Sequence, residues 1–261
     1  MKIVSIGAGN LATHLSKALQ NAGFKMVQVY SRTKASAKEL ADLLQTSYTT
    51  DVGRIIVDAS LYIISVKDDA IESVIEKMLL TDGLVIHTGG SVPIDIFSGK
   101  FSNYGVFYPL QTFSKLRQID FSEIPVFLEA NSSENLKILR MVAETISHKL
   151  YEVSSAERLK LHLAAVFGCN FVNHLYHLSA QIAKQAGLEF NVLTPLILET
   201  TYKAVVSGNP NEVQTGPAVR NDQTVMRKHL ELLELNPELQ EIYAMLSESI
   251  GKKEAVSKAH R

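Results

Sequence analysis

A short apolar segment followed at once by a glycine-rich turn constrains this 261-residue chain more than any other feature. Residues 1–6 read MKIVSI, residues 7–12 read GAGNLA, and apolar residues then recur at helical spacing over 11–19. A strand that turns sharply into a helix needs glycine, because only a residue without a Cβ lets the backbone approach a pyrophosphate closely. The pattern predicts a βαβ unit that binds a dinucleotide, with Gly7 at the turn and Gly9 at the pyrophosphate.

The end of the second predicted strand indicates which dinucleotide is bound. An Asp or Glu about twenty residues after the glycines normally holds the free ribose 2′-hydroxyl of NAD. Residues 26–33 read MVQVYSRT, so that Ser31, Arg32 and Thr33 stand where this acid is expected. Because arginine binds phosphate bidentately, the segment predicts a 2′-phosphate and therefore NADP. The alternative for Arg32 is a solvated loop arginine.

Composition narrows the class of protein. The formal net charge of −1 and the pI of about 6.7 provide no broad basic surface for nucleic acid or an anionic membrane. No apolar stretch approaches the roughly 18 residues that a membrane span needs. The single cysteine, Cys169, excludes an internal disulfide, and the first residues resemble a strand and not a signal sequence. We therefore expect a cytoplasmic protein whose partner is a small molecule.

Strand and helix patterns alternate along the first part of the chain and then change in character. The alternation predicts a doubly wound, mainly parallel sheet with helices on both faces. From about Ser154 the strand patterns disappear, and helices are predicted over 155–186, 192–207, 223–231 and 237–250. The expected fold is α/β, with a Rossmann-like NADP-binding domain over residues 1–153 and an all-α domain over 154–261.

The first long helix of the second part carries polar residues that a core helix would avoid. At about 100° per residue, Asn173 lies within roughly 40° of His162 and Asn170 near 80°, whereas Lys160 lies about 160° away. This stripe predicts that His162 donates a proton to a substrate, and that Asn170 or Asn173 orients the substrate or polarises its carbonyl. A hydrogen-bonded interface between helices is the alternative.

Other polar residues give weaker indications. His87 ends a predicted parallel strand, where it either lines the nicotinamide site or hydrogen-bonds the neighbouring loop. His174 and His177 are three residues apart, but no further ligand stands at a telling spacing, and we expect no metal. A Gly-Pro loop carries Arg220 and Asp222. Arg220 is predicted to anchor a substrate carboxylate, and the alternative is that the two residues pair with each other.

Several motifs together resemble a known family. They are GAGNLA, SRT after the second strand, VKD after the fourth, HTGGS, FYPLQTF, HLAAVFGCNFVNHL and TGPAVRND. Over nearly its whole length the chain is similar to bacterial proteins that join a Rossmann-like NADP-binding domain to a helical domain of unknown function. More distantly, it resembles pyrroline-5-carboxylate reductase, ketopantoate reductase and the 6-phosphogluconate dehydrogenase superfamily. There the helical domain builds the dimer and closes the active site, which implies a homodimer for this chain as well.

The resemblance also implies roles for individual residues. Those expected at the pyrophosphate are Gly7, Gly9, Asn10 and Leu11. Those expected at the 2′-phosphate are Ser31, Arg32 and Thr33. Those expected along the adenosine and ribose are Val66 and Lys67, and those near the nicotinamide are His87, Thr88 and Gly89.

The chain also departs from its distant relatives. The hydroxyacid dehydrogenase branch of the superfamily places a lysine and an asparagine one turn apart on the first helix of the second domain. In this chain residue 164, four after Lys160, is alanine. The mechanism in which that lysine acts is therefore not expected here. The Gly-rich, Ser/Thr-rich helical loop of pyrroline-5-carboxylate reductase is also missing, so that proline synthesis is not expected either.

Together these features predict an NADPH-dependent oxidoreductase that reduces a C=O or C=N bond of a small metabolite. Two alternatives stay open. One is an NADP-binding sensor or assembly protein without catalytic activity, since function follows from the site and not from the fold. The other is an enzyme that exchanges electrons between NADP and a deazaflavin.

Overall fold

The architecture is that of a computed structural model, which describes residues 1–259. The chain forms two compact units, Met1–Phe171 and Val172–Arg261. The helix that begins at Ser155 belongs to the first unit by its contacts, although the sequence pattern changes at its start. The domain boundary after residue 153 stays a prediction.

The first unit is built on one eight-stranded sheet. Its strands are β1 (Lys2–Ile6), β2 (Lys25–Tyr30), β3 (Ser47–Thr49), β4 (Leu61–Ile64), β5 (Leu84–His87), β6 (Tyr104–Pro109), β7 (Val126–Ala130) and β8 (Leu150–Glu152). Its helices are α1 (Asn10–Asn21), α2 (Lys34–Leu44), α3 (Asp68–Lys77), α4 (Ser133–Glu144) and α5 (Ser155–Ala165). The strand order is β3-β2-β1-β4-β5-β6-β7-β8. All neighbours pair parallel except β6 and β7, so that β7 and β8 run opposite to the other six strands. The predicted Rossmann-like, mainly parallel sheet is confirmed.

Apolar side chains fill both faces of this sheet. Successive strand residues alternate between two buried clusters, since Ile3 packs with Leu15 of α1 and Val4 packs in the cluster that contains Ile71 of α3. All four residues of β4 are buried, as the apolar sequence of a central parallel strand predicts. The sheet therefore gives a rigid base for the loops at its carboxyl edge.

The second unit is helical. Its helices are α6 (Val172–Gln185), α7 (Thr194–Ser207), α8 (Gln223–Leu232) and α9 (Pro237–Ala259). The prediction of a helix over 155–186 is confirmed in that residues 155–185 are all helical, but a π-helical segment, Val166–Phe171, separates α5 from α6. The prediction that the last helix ends at residue 250 is wrong, because α9 extends to Ala259. Among the described residues, every helix is too short or too polar to cross a bilayer.

Candidate functional site

The glycine turn joins β1 to α1 with the geometry that its sequence predicts. Gly7 has a φ of +124°, and a Cβ on this residue would lie 2.2 Å from the Ser65 carbonyl oxygen. Its amide donates to the carbonyl of Tyr30, the last residue of β2, at 2.8 Å, which ties the turn to the end of the neighbouring strand. A Cβ on Gly9, at the start of α1, would meet no atom within 4 Å. This open space beside a helix N-terminus fits a pyrophosphate.

A cleft of about 400 Å³ opens at this turn, where the strand order reverses between β1 and β4. Open α/β sheets bind their ligands at this position. The residues that line the cleft and were predicted to bind the cofactor are Gly7, Gly9, Asn10, Leu11, Ser31, Arg32, Val66, Lys67 and Thr88. Lining residues that sequence reasoning missed are Ala8, Tyr30, Ser65, Asp68, Ala70 and Val74.

Three residues predicted at the cofactor lie outside the cleft lining. Thr33 is the N-cap of α2, because its hydroxyl accepts from the Ser36 amide at 3.4 Å. Gly89 packs on the first turn of α3, where a Cβ would lie 3.0 Å from Oδ1 of Asp68. His87 is fully buried beneath the loop that follows β5. Their contacts with the cofactor stay predictions.

Arg32 is exposed at the edge of the cleft and makes no ion pair with any residue in the described part of the chain. We expect Arg32→Ala to weaken NADPH binding by about 10- to 100-fold, because a charge-assisted hydrogen bond contributes roughly 1.5–3 kcal/mol. NADH binding should change little, since NADH lacks the 2′-phosphate. Titration calorimetry measures both, with the exposed Arg227→Ala as a matched control. Equal losses for the two cofactors would contradict the assignment.

His87 is held uncharged by its surroundings. Burial and then the nearby Arg158 lower the pKa of His87 to about 3. Its Nδ1 accepts from the Gly89 amide at 3.1 Å, and its ring stacks on Phe97 at 5.5 Å. The hydrogen bond to the neighbouring loop, one of the two roles expected from the sequence, is therefore present. The neutral ring therefore holds the backbone of the loop after β5 through the Gly89 amide.

His162 lies beside that same loop. Its Nδ1 is 3.0 Å from the phenol oxygen of Tyr108, at the end of β6. A Cβ on Gly90 would lie 2.7 Å from Nδ1 of His162 and 2.9 Å from Cζ of Tyr108, so that only glycine fits between them. Gly90 comes two residues after Thr88, which lines the cofactor cleft. The structure thus brings His162 to the loop beside the predicted nicotinamide end.

A buried ion pair fixes the helix that carries His162. Arg158, one turn before His162, is 1% exposed and contacts the Glu129 carboxylate of β7 and the Val92 carbonyl. Glu129 also accepts from the Ser155 amide at 2.9 Å. Ser154 and Glu157 form a capping box at the start of α5. These bonds set the position of α5 on the sheet edge.

The π-helical segment changes the arrangement predicted for the polar stripe. The angles for Asn170 and Asn173 assume a regular helix, but each π-helical residue turns by less than 100° because its bonds run from i to i+5. Asn170 lies on this segment and Asn173 follows it on α6, and both are exposed. Their roles stay predictions. The prediction that Lys160 and His162 do not face the same substrate is unaffected by the π-helical segment, because both residues lie on α5.

The second unit holds the remaining predicted residues. Arg220 is exposed, and Asp222 caps α8 by accepting from the Val225 amide at 3.1 Å. No ion pair joins Arg220 to Asp222 in the described structure. The rings of His174 and His177 stack at 6.2 Å. Among the side chains that the structure describes, no group of three or more His, Cys, Asp or Glu could hold a metal ion.

Two family models match the chain. The model described as "NADP oxidoreductase coenzyme F420-dependent" matches residues 2–89, and the domain of unknown function DUF2520 matches residues 124–250. No curated protein sequence matches the chain.

The chain is also similar to solved structures over nearly its whole length. It is 47% identical to a candidate NADP oxidoreductase from Bacteroides fragilis, over 96% of this chain and 98% of the other, with a TM-score of 0.89. A Thermotoga maritima protein is 23% identical over 94% and 99% of the two chains, with a TM-score of 0.74. Pyrroline-5-carboxylate reductase from Streptococcus pyogenes shares the fold at 14% identity, over 97% and 98%, with a TM-score of 0.63.

These matches confirm two predictions made from the sequence. NADP is confirmed as the cofactor by the family model and by the 47% identical relative. The distant likeness to pyrroline-5-carboxylate reductase is confirmed at the level of the fold. The chain belongs to the family of proteins that join a Rossmann-like NADP oxidoreductase domain to a DUF2520 domain.

Proposed function

We propose that this protein is an NADPH-dependent reductase of a C=O or C=N bond in a small metabolite, with His162 as the proton donor. The observation that carries the proposal is the position of His162 against Gly90, on the loop that begins at the cleft residue Thr88. NADPH, when bound, supplies the hydride. The chain supplies the proton through His162, because a positioned imidazole is the most frequent general acid in enzymes.

The residues of the chain have separate roles in this proposal. Gly9 and the N-terminus of α1 hold the pyrophosphate, and Arg32 holds the 2′-phosphate. Asn170 or Asn173 orients the substrate or polarises its carbonyl through a hydrogen bond, and Arg220 anchors a substrate carboxylate. The support for these last three roles is their exposure together with the chemistry of their side chains.

A screen of carbonyl and imine metabolites, followed by the loss of NADPH absorbance, tests the proposal. We expect turnover with at least one small substrate. Arg32→Ala should reduce that turnover when NADPH is limiting, which ties the signal to this cleft. Saturable NADPH binding without turnover of any substrate would instead favour the alternative of an NADP-binding protein without catalytic activity.

A second candidate function is hydride exchange between NADP and a deazaflavin. The description of the family model that matches residues 2–89, which names coenzyme F420, favours it. Spectroscopic titration with an oxidised deazaflavin and NADPH distinguishes the two proposals. Bleaching of the deazaflavin at a rate that depends on protein concentration would support this second candidate.

We also propose that the protein is a homodimer through its helical unit. None of the residues of α6, α7 and α8 is buried within the single chain. Large apolar side chains of α7 are widely exposed, among them Val205 at 75% and Leu196 and Tyr202 at 65%. Such faces are commonly covered by a second subunit. Sedimentation should give twice the chain mass of 28.8 kDa, and a monomer would contradict the proposal.

A further inference from the structure

The bond between Tyr108 and His162 gives a role to a residue that the proposed function leaves unused. We propose that Tyr108 is a positioning residue that holds Nδ1 of His162, so that Nε2 is the nitrogen that passes the proton to the substrate. The inference rests on the proposed function, since it specifies which atom of His162 acts. Its direct test needs no substrate.

Tyr108 and Gly90 enclose Nδ1 of His162. The Tyr108 oxygen lies at 3.0 Å, and the two rings meet edge to face with centroids 6.1 Å apart. The backbone at Gly90 closes the same side of the imidazole, since even a Cβ there would lie 2.7 Å from Nδ1. His162 as a whole is partly exposed. Among the described residues no hydrogen bond is formed by Nε2, so this nitrogen is the one left for a substrate.

Both partners stand on rigid elements. Tyr108 is 9% exposed, pairs with Phe127 across β6 and β7, and packs on the Phe127 ring at 6.2 Å. His162 is fixed through Arg158, one helical turn earlier, whose guanidinium is bonded to Glu129. The tyrosine and the histidine come from positions 54 apart in sequence, yet neither can move far without breaking buried contacts. A hydrogen bond between two fixed groups orients a ring effectively.

The phenol of Tyr108 can serve both protonation states of the imidazole. Burial, and to a smaller extent the charge of Asp68, raises the pKa of Tyr108, so that the phenol stays neutral. A neutral phenol accepts a hydrogen bond from Nδ1–H, which is present both in the imidazolium and in the neutral imidazole that remains after Nε2 has given up its proton. Nδ1 is therefore engaged in either state, and Nε2 is left for the substrate.

In this arrangement the proton and the electrons can be followed through the transfer. In the imidazolium, Nδ1–H donates to the Tyr108 oxygen and Nε2 carries the second proton. As the bond is reduced, that proton moves from Nε2 to the substrate oxygen or nitrogen, which has gained an electron pair. The electrons of the Nε2–H bond remain on Nε2, and the imidazole becomes neutral with Nδ1–H still held by Tyr108.

Nitrogen NMR of the protein labelled with ¹⁵N-histidine tests this arrangement in Tyr108→Phe. Comparison with His162→Gln assigns the His162 signals. In the native protein we expect the two ring nitrogens of neutral His162 to have clearly different shifts, which report one dominant tautomer. In Tyr108→Phe the two shifts should move towards each other. Tyr151→Phe is the matched control, because this tyrosine is 49% exposed and stacks on Phe127 without bonding a histidine.

Two results would overturn the proposal. One is a native protein in which His162 already samples both tautomers, and the other is a Tyr108→Phe variant whose His162 shifts equal those of the native protein. With a substrate in hand, Tyr108→Phe should lower kcat by about 2- to 10-fold and leave KM for NADPH unchanged. If the NMR shifts change as expected but His162→Gln retains full turnover, the proposed function fails while the positioning of His162 by Tyr108 stands.

Discussion

Replacement of His162 by Gln is expected to lower kcat by about 10²–10⁴-fold once a substrate is known, because general acid catalysis contributes this much to typical enzymes. Glutamine keeps an amide close to the Nε2 position but cannot release a proton near neutral pH. Binding of NADPH should not change, since His162 lies outside the lining of the cofactor cleft. The measurement is a comparison of steady-state kcat with the Kd of NADPH for each protein.

The exposed His148 provides the control for this result. His148→Gln makes the same chemical change in the same unit and should leave kcat as in the native protein. Retained turnover in His162→Gln would remove His162 from the mechanism. A parallel loss of NADPH affinity would indicate damage to the cleft, and would then assign the lost turnover to cofactor binding.

The cofactor half of the site could be predicted because its determinants are local in sequence. The turn at Gly7 needs a backbone conformation that glycine adopts easily, and the same stretch of chain supplies the apolar strand and helix around it. Arg32 follows the second strand at the distance that the fold sets. Short-range constraints of this kind remain visible in a single sequence.

Thr33 shows that one local signal can carry two interpretations. Its hydroxyl was predicted to bind phosphate, and the structure shows it as the cap of a helix that begins at Lys34. Threonine immediately before a helix is a common N-cap, so that the sequence contained this second interpretation. A cap and a phosphate contact use the same oxygen, which is why residue type alone could not separate them.

The proposed catalytic half of the site depends on contacts between segments that are distant in sequence. Tyr108 meets His162 only because β6 ends beside α5, and no periodicity in the sequence links the two. The π-helical segment Val166–Phe171 was equally hidden, since its apolar residues suit an ordinary α-helix. One signal could have indicated Tyr108, because it lies near the carboxyl end of a parallel strand, where open sheets place their sites.

The position of α5 depends on a charge that is almost fully removed from water. Arg158 is 1% exposed and its partner Glu129 is 16% exposed. Water cannot solvate the remaining charge if either partner is lost, and the cost of breaking such a pair is typically about 3–5 kcal/mol. Because Arg158 also binds the Val92 carbonyl beside the loop of Gly90, its loss should disturb the setting of His162 as well.

We therefore expect Arg158→Met to lower the free energy of unfolding by about 3–5 kcal/mol, the largest stability effect of any variant proposed. The midpoint of urea unfolding, followed by circular dichroism, measures this change. Arg140→Met is the matched control: Arg140 pairs with Glu152 at the surface of the same unit, with 42% and 47% of the two side chains exposed, and its midpoint should hardly move. Adding Glu129→Gln to Arg158→Met should recover part of the loss, because the unpaired carboxylate is then removed. Equal midpoints for Arg158→Met and Arg140→Met would show that the buried pair does not hold α5 in place.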